Sequence, residues 1–287
     1  MITYLEGDLF SSPAQTLVNT VNTVGVMGRG IALEFKKRYP AMYNQYKKYC
    51  DDGSLTVGKL MLWRDEPDHW LLMFPTKTTW RKPSDLSYIE AGLRKFVATY
   101  TDKGITSAAF PRLGCGNGGL EWKDVKPLME KYLEPLSIPC YVYLKKMELT
   151  VEEEHQNIAA TEMWMRRNAG DMSYSAVKED IIEHCSLSPY KFTYKNEVFS
   201  CKWDDGLEVT DSKEKDTLFS EDDIHRCWDA LTAKKIIEEG SDQKIELLNA
   251  MLVSAGYLTH VRIVNQNHSS NGLQLRVVSQ NHQLMEA

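Results

Sequence analysis

Two glycine-rich stretches and one lysine are the residues of this 287-residue chain best placed to do chemistry. The first stretch, Gly25-Val-Met-Gly28-Arg-Gly30, runs into a segment, Ile31 to Tyr39, that reads as a helix ended by Pro40. The second, Gly114-Cys-Gly116-Asn-Gly118-Gly119, follows an apolar strand-like run, Ile105 to Phe110. It precedes a helical segment, Lys123 to Leu133, that Pro135 stops. Glycines let successive N–H groups turn toward one point, and a helix N-terminus adds partial positive charge, so each stretch can cradle an oxyanion. One such loop is equally well a tight βα turn. Two in the same strand, loop, helix context point to a bound pyrophosphate. Lys77 follows the apolar run Trp70 to Pro75, which places it at a strand end, where α/β folds hold their ligands. A lysine there supplies a cation, a proton donor or an imine-forming amine, chemistry that a binding module does not need.

The elements that must position these residues alternate through the first half. Apolar runs at Ile2 to Leu5, Thr16 to Val21, Leu60 to Trp63, Trp70 to Phe74, Ile105 to Phe110 and Cys140 to Leu144 read as strands separated by helices. Leu86 to Tyr100 puts Leu86, Ile89, Leu93, Phe96, Val97 and Tyr100 on one helical face before Gly104. This is an α/β pattern, a central sheet with helices on both faces. After Leu144 the apolar strand pattern stops and Lys145 to Gln156 is charged, which divides the chain into domains 1–148 and 149–287. In the second, Ser220-Glu-Asp-Asp223 opens an amphipathic helix to about Glu239, and Ser241 begins another that ends near Gly256. Leu258 to Val264 and Leu273 to Val278 flank Asn265 to Gly272 as a hairpin. The sum is a smaller α+β domain with the outline of a winged helix, in which Trp164, Trp203 and Trp228 read as core.

Composition bounds the function. With 43% apolar and 26% charged residues the chain can bury one large core or two ordinary ones. Its six cysteines, at 50, 115, 140, 185, 201 and 227, form no CxxC pair and no His/Cys cluster, so neither a disulfide framework nor a metal site is expected. Cys115, with no histidine near it in sequence, reads as a small loop residue and not as a nucleophile. The N-terminus shows no basic then apolar signal stretch and no run reaches membrane-spanning length, so the cytoplasm is the expected location. Charge is uneven. Residues 1–150 hold 20 Lys and Arg against 16 Asp and Glu, net +4, and residues 151–287 hold 14 against 24, net −10. The mildly basic half suits a polyanionic substrate, and the acidic half does not hold nucleic acid by phosphate contacts.

Gly7-Asp8-Leu9-Phe10, the string NTVNTVGVMGRGIALEFKKRYP from Asn19, FPTKTTW around Lys77 and PRLGCGNGGLEW from Pro111 together resemble the macrodomain family, over about residues 1–146. Within it they are similar to the DarG branch, the DNA ADP-ribosylglycohydrolase antitoxins of DarTG toxin–antitoxin systems, and to the related terminal ADP-ribose protein glycohydrolase. The resemblance implies a mixed sheet, an ADP-ribose ligand and hydrolysis with Lys77 as catalytic residue and no cofactor. It also implies that Asp8 accepts from the adenine amino group beside Leu9, and that Asn22 holds the distal ribose. Gly28, Gly30 and Ile31 would form the first phosphate loop, and Gly114, Cys115, Gly116, Asn117 and Gly118 the second. Where the protein-directed enzyme has an acidic residue in the second loop, this chain reads Asn117-Gly118-Gly119-Leu120, which favours ADP-ribosylated single-stranded DNA as substrate. A glycohydrolase acting on protein and a non-catalytic reader of ADP-ribose are the alternatives. The acidic second half is expected to bind a DarT-like ADP-ribosyltransferase toxin.

Overall fold

The computed structural model describes residues 2–67, 69–144, 157–187, 189–240, 242–265 and 268–276. They fall into two compact units, Met1–Thr161 and Glu162–Ala287. The first runs β1 (Ile2–Leu5), a 3-10 turn at Leu9–Ser11, β2 (Thr16–Val21), α1 (Gly30–Arg38), α2 (Pro40–Asp51), β3 (Met61–Glu66) and β4 (His69–Pro75). It continues with α3 (Leu86–Lys103), β5 (Ala108–Pro111), α4 (Trp122–Leu133) and β6 (Cys140–Tyr143). The strands form one sheet in the order β1-β6-β5-β2-β4-β3. Every neighbouring pair is parallel except β3 with β4, so the sheet is mixed.

Successive strand residues face opposite sides of a sheet, and the central strands use this to build two cores. Leu17, Leu71, Met73 and Ala109 pack with Phe35, Met42, Tyr43 and Tyr46 from α1 and α2. Their sequence neighbours Val18, Leu72, Phe74, Ala108 and Phe110 pack with Ile89, Leu93 and Phe96 of α3 and with Val125, Met129 and Leu133 of α4. Helix α3 starts where the Asp85 carboxylate accepts from Ser87 N at 2.8 Å and ends on Gly104, which takes φ of 76°. Leu86, expected on the core face, is 38% exposed, because as the first helical residue it precedes the turns that pack. Pro40 ends α1 as expected but also opens α2, its fixed φ and missing N–H suiting the first helical position. The sequence reading had no helix there.

The second unit contains α5 (Ile158–Arg167, whose first turn belongs to the first unit), α6 (Tyr174–Leu187), β7 (Tyr190–Tyr194), β8 (Glu197–Trp203), β9 (Leu207–Thr210) and β10 (Asp216–Phe219). After these come α7 (Glu221–Lys234), β11 (Ile236–Glu238), α8 (Gln243–Ser254), β12 (Leu258–Asn265) and β13 (His268–Leu275). It holds two sheets, in the orders β10-β9-β8-β7 and β11-β13-β12. The sequence reading places no strand between Leu144 and Leu258, and the first of these sheets corrects it. One face of that sheet buries Phe192, Cys201, Val209 and Phe219, while Lys191, Thr193, Lys202 and Asp216 stand exposed on the other. Helix α7 stops at Lys234, five residues short of the expected end, because Lys235 turns the chain with φ of 60° into the short strand β11. The hairpin is tighter than expected, since Asn265 pairs with His268 and the strands run through the presumed loop. Residues 145–156 and 277–287, including the charged segment and the far end of the expected second hairpin strand, lie outside the described residues. Trp228 is buried as expected, and Trp164 and Trp203 are half-buried. Among the described residues no helix is long and apolar enough to cross a membrane.

Candidate active site

Adjacent parallel strands deliver the loops to one edge of the sheet. β5, β2 and β4 lie side by side and point the same way, so residues 22–29, 76–85 and 112–121 leave from neighbouring C-terminal ends. Lys77 sits two residues past β4 and is only 6% exposed. It is tied to the first loop on both sides. Thr76 N donates to Val21 O at 2.9 Å, and Thr23 donates to the Thr78 carbonyl through its N at 3.3 Å and its Oγ1 at 2.7 Å. Its Nζ donates to the carbonyl oxygen of Asn117 in the second loop. The lysine therefore stands where the two glycine loops meet.

The first loop is built around Asn22. Its Oδ1 accepts from Val24 N at 3.1 Å and Val26 N at 3.2 Å, and its Nδ2 donates to Val26 O at 2.7 Å. Two tyrosines of α2 brace the loop from beneath, Tyr46 OH donating to Asn22 O at 2.7 Å and Tyr43 OH to Gly25 O at 3.2 Å. The side chain assigned to a ribose thus holds its own loop. Gly28 is buried, and the chain then enters α1 with Gly30, Ile31 and Ala32 as its first three residues and no side-chain cap at Arg29. The N–H groups of a first helical turn have no intrahelical acceptor, and they carry the positive end of the helix dipole. Such a terminus is suited to an anion.

The second loop faces it. Ser84 N donates to Gly118 O at 2.8 Å, Leu120 N to Gly114 O at 3.0 Å and Gly119 N to Gly116 O at 3.1 Å, folding the chain on itself. Among the described residues the N–H groups of Gly116, Asn117 and Gly118 donate to no protein acceptor, a run suited to phosphate oxygens. The glycines differ in what they serve. A Cβ at Gly118 would meet Ser84 Oγ at 2.3 Å and Gly114 O at 2.4 Å, whereas one at Gly116 would meet nothing within 4 Å. Gly118 is required by the loop's own packing, and Gly116 has the open space. Cys115 donates from Sγ to Leu113 O at 3.5 Å, and burial pushes its thiol up to about 11, so it is a neutral thiol at pH 7. Asp8 is exposed and caps the 3-10 turn, its Oδ1 accepting from Phe10 N at 3.0 Å, while Leu9 is buried beneath.

Tyr43, Tyr46, Thr23 and Ser84 support the site and were not singled out from sequence. The Met42, Tyr43, Tyr46, Cys50 spacing does mark a buried helix face, but nothing local says that its hydroxyls reach a loop 18 and 24 residues away. In the second unit Glu162, Asp180 and His184 bring oxygen and nitrogen donors within 4.8 Å of one another. Arg166 already supplies the cation there, 3.8 Å from each carboxylate and 2.6 Å from His184 Nε2.

Residues 18–129 match the family model described as the Macro domain. With its mixed sheet and paired glycine loops, the first unit carries a macrodomain over those residues. It is 51% identical over 130 residues to a DNA ADP-ribosyl glycohydrolase of Mycobacterium tuberculosis, a match covering 44% of this chain and 37% of that protein. It is 42% identical over 161 residues to a DNA ADP-ribosyl transferase-DNA ADP-ribosyl glycohydrolase fusion protein of Thermosipho africanus, covering 50% of this chain and 42% of the relative. Among solved structures, the macrodomain of Mycobacterium tuberculosis DarG shares 44% identity, with 51% of this chain and 99% of that one covered and a TM-score of 0.49. The match thus spans less than half the length of these curated relatives.

Proposed function

We propose that this protein is a glycohydrolase that removes ADP-ribose from ADP-ribosylated single-stranded DNA, with Lys77 as its catalytic residue. The observation that carries the reading is the buried Lys77 side chain held between two glycine-rich loops. The 51% identity with proteins named for that activity supports it. The helix α1 terminus and the second-loop N–H groups would bind the pyrophosphate, with Asp8 toward the adenine, and so hold the distal ribose C1″ against Lys77. Cleaving the N-glycosidic bond leaves positive charge at C1″ and requires the departing base to be stabilised. Lys77 meets this by one of two routes: its neutral amine adds to C1″ of the ring-opened ribose and expels the base, giving an imine that water then hydrolyses, or its ammonium protonates the departing base while water adds at C1″. Neither route needs a carboxylate from the second loop, where the chain has Asn117-Gly118-Gly119. Much of the acceleration then comes from positioning.

Residues 1–148 carry this activity in the proposal, in the cytoplasm, and residues 149–287 bind a DarT-like ADP-ribosyltransferase toxin. The acidic balance of the second half and the relative that joins transferase and glycohydrolase in one chain support that division. The test is release of ADP-ribose by the purified chain from an ADP-ribosylated single-stranded oligonucleotide and from an ADP-ribosylated protein. Release from the oligonucleotide is expected. Release from the protein alone would move the substrate to protein, and binding of ADP-ribose with no release from either would make the chain a reader.

A further inference from the structure

Asn117 is the one residue between Cys115 and Leu120 that carries a side chain, since 116, 118 and 119 are glycines. The base of this loop is pinned by packing, for Cβ atoms at Gly114 and Gly118 would clash with Leu120 and Ser84. The crest has no such support at Gly116, around which space is open. The Asn117 amide reaches across from the crest and packs against the start of α1. A Cβ on Gly30 would lie 2.7 Å from Asn117 Nδ2, and Gly30, with φ of 59°, is also a poor place for any side chain. The same residue holds the lysine, because its carbonyl oxygen accepts from Lys77 Nζ. Asn117 therefore touches the start of α1 with its side chain and Lys77 with its main chain.

We infer that Asn117 is a positioning residue. By spanning from the second loop to Gly30 it fixes the carbonyl that sets the Lys77 ammonium, which couples the two phosphate loops to the placement of the catalytic group. A lysine side chain has many rotamers, and small displacements of a reacting group cost large factors in rate. A glycine crest without a lateral tie would let that carbonyl wander. The inference rests on the glycohydrolase reading for its kinetic consequence and on the geometry alone for its effect on Lys77.

Asn117→Ala and Asn117→Ser, the second polar but too short to reach Gly30, are compared with wild type in the full chain by three measurements. Single-turnover release from the ADP-ribosylated oligonucleotide should fall at least about tenfold in both variants. Affinity for free ADP-ribose by calorimetry should stay within about threefold of wild type, since the backbone N–H donors remain. Acylation of Lys77 by acetic anhydride, followed by peptide mass spectrometry, should quicken at least about fivefold as the amine loses its fixed acceptor. A tenfold loss of affinity with unchanged single-turnover rate would make Asn117 only a ligand contact and overturn the inference. Unchanged acylation of Lys77 in both variants would overturn it too, whether or not the wild type acts on DNA. A wild type that labels slowly, with variants that label fast, but that releases nothing from the oligonucleotide would leave the Asn117 tie standing and refute the proposed substrate.

Discussion

Glycines two positions apart in the second loop carry different demands, and substitution separates them. Gly118→Ala forces a methyl to within 2.3 Å of Ser84 Oγ and 2.4 Å of Gly114 O, so the loop must shift. Overpacking of this kind costs about 1–3 kcal/mol, and the variant should melt earlier as well as bind ADP-ribose more weakly. Gly116→Ala meets nothing within 4 Å and should melt like wild type, so any loss of ADP-ribose affinity there reports the ligand itself. Melting curves in the reverse order would contradict the loop geometry. Cys115 makes a second case. Burial favours the neutral thiol and lifts its ionisation to about 11, so the thiolate fraction is small at pH 7 and grows as pH rises toward that value. Alkylation of Cys115 by iodoacetamide should be slow at neutral pH and quicken with pH, and Cys115→Ala should keep its turnover. Rapid alkylation at pH 7 would show a thiolate that the structure does not support.

Among the elements, α3 lies close on β4 at one point. A Cβ on Gly92 would sit 2.2 Å from Phe74 Cζ, and Phe74 is three residues before Lys77. Gly92→Ala should therefore lower stability by about 1–3 kcal/mol, despite alanine's better helix propensity, and disturb turnover through β4. A stabilised variant with full activity would mean that the helix has room to move. The central strands β2, β4 and β5 were legible because they bury both faces, and β1 and β2 begin and end where the sequence puts them. Strands β7 to β10 were not, because charged residues such as Lys191 and Lys202 occupy their open face and break up the apolar runs. The turn signal was present, for Lys195 and Asn196 take φ of 48° and 65°, the left-handed pair of a two-residue hairpin. At the site, the loops and Lys77 could be read from glycine spacing and strand ends. The braces from Tyr43, Tyr46 and Ser84 could not, since each is a contact across the fold that no local pattern encodes.

For the whole molecule, both hydrophobic cores of the first unit are assembled from residues between Ile2 and Leu144. A fragment of residues 1–148 should accordingly fold alone and keep the hydrolase activity. Residues 149–287, with net charge close to −10, should lack that activity yet bind a DarT-like toxin, with association slowing as salt rises if charge steers the encounter. An insoluble first fragment, or a second fragment with no toxin affinity at low salt, would count against this division. The most direct measurement concerns the lysine between the loops. Lys77→Ala removes the group proposed to act at C1″ and leaves the phosphate-binding N–H groups in place. The account predicts ADP-ribose affinity close to wild type, with release from the ADP-ribosylated oligonucleotide reduced by roughly a hundredfold or more. Turnover of that oligonucleotide at the wild-type rate by Lys77→Ala would contradict it.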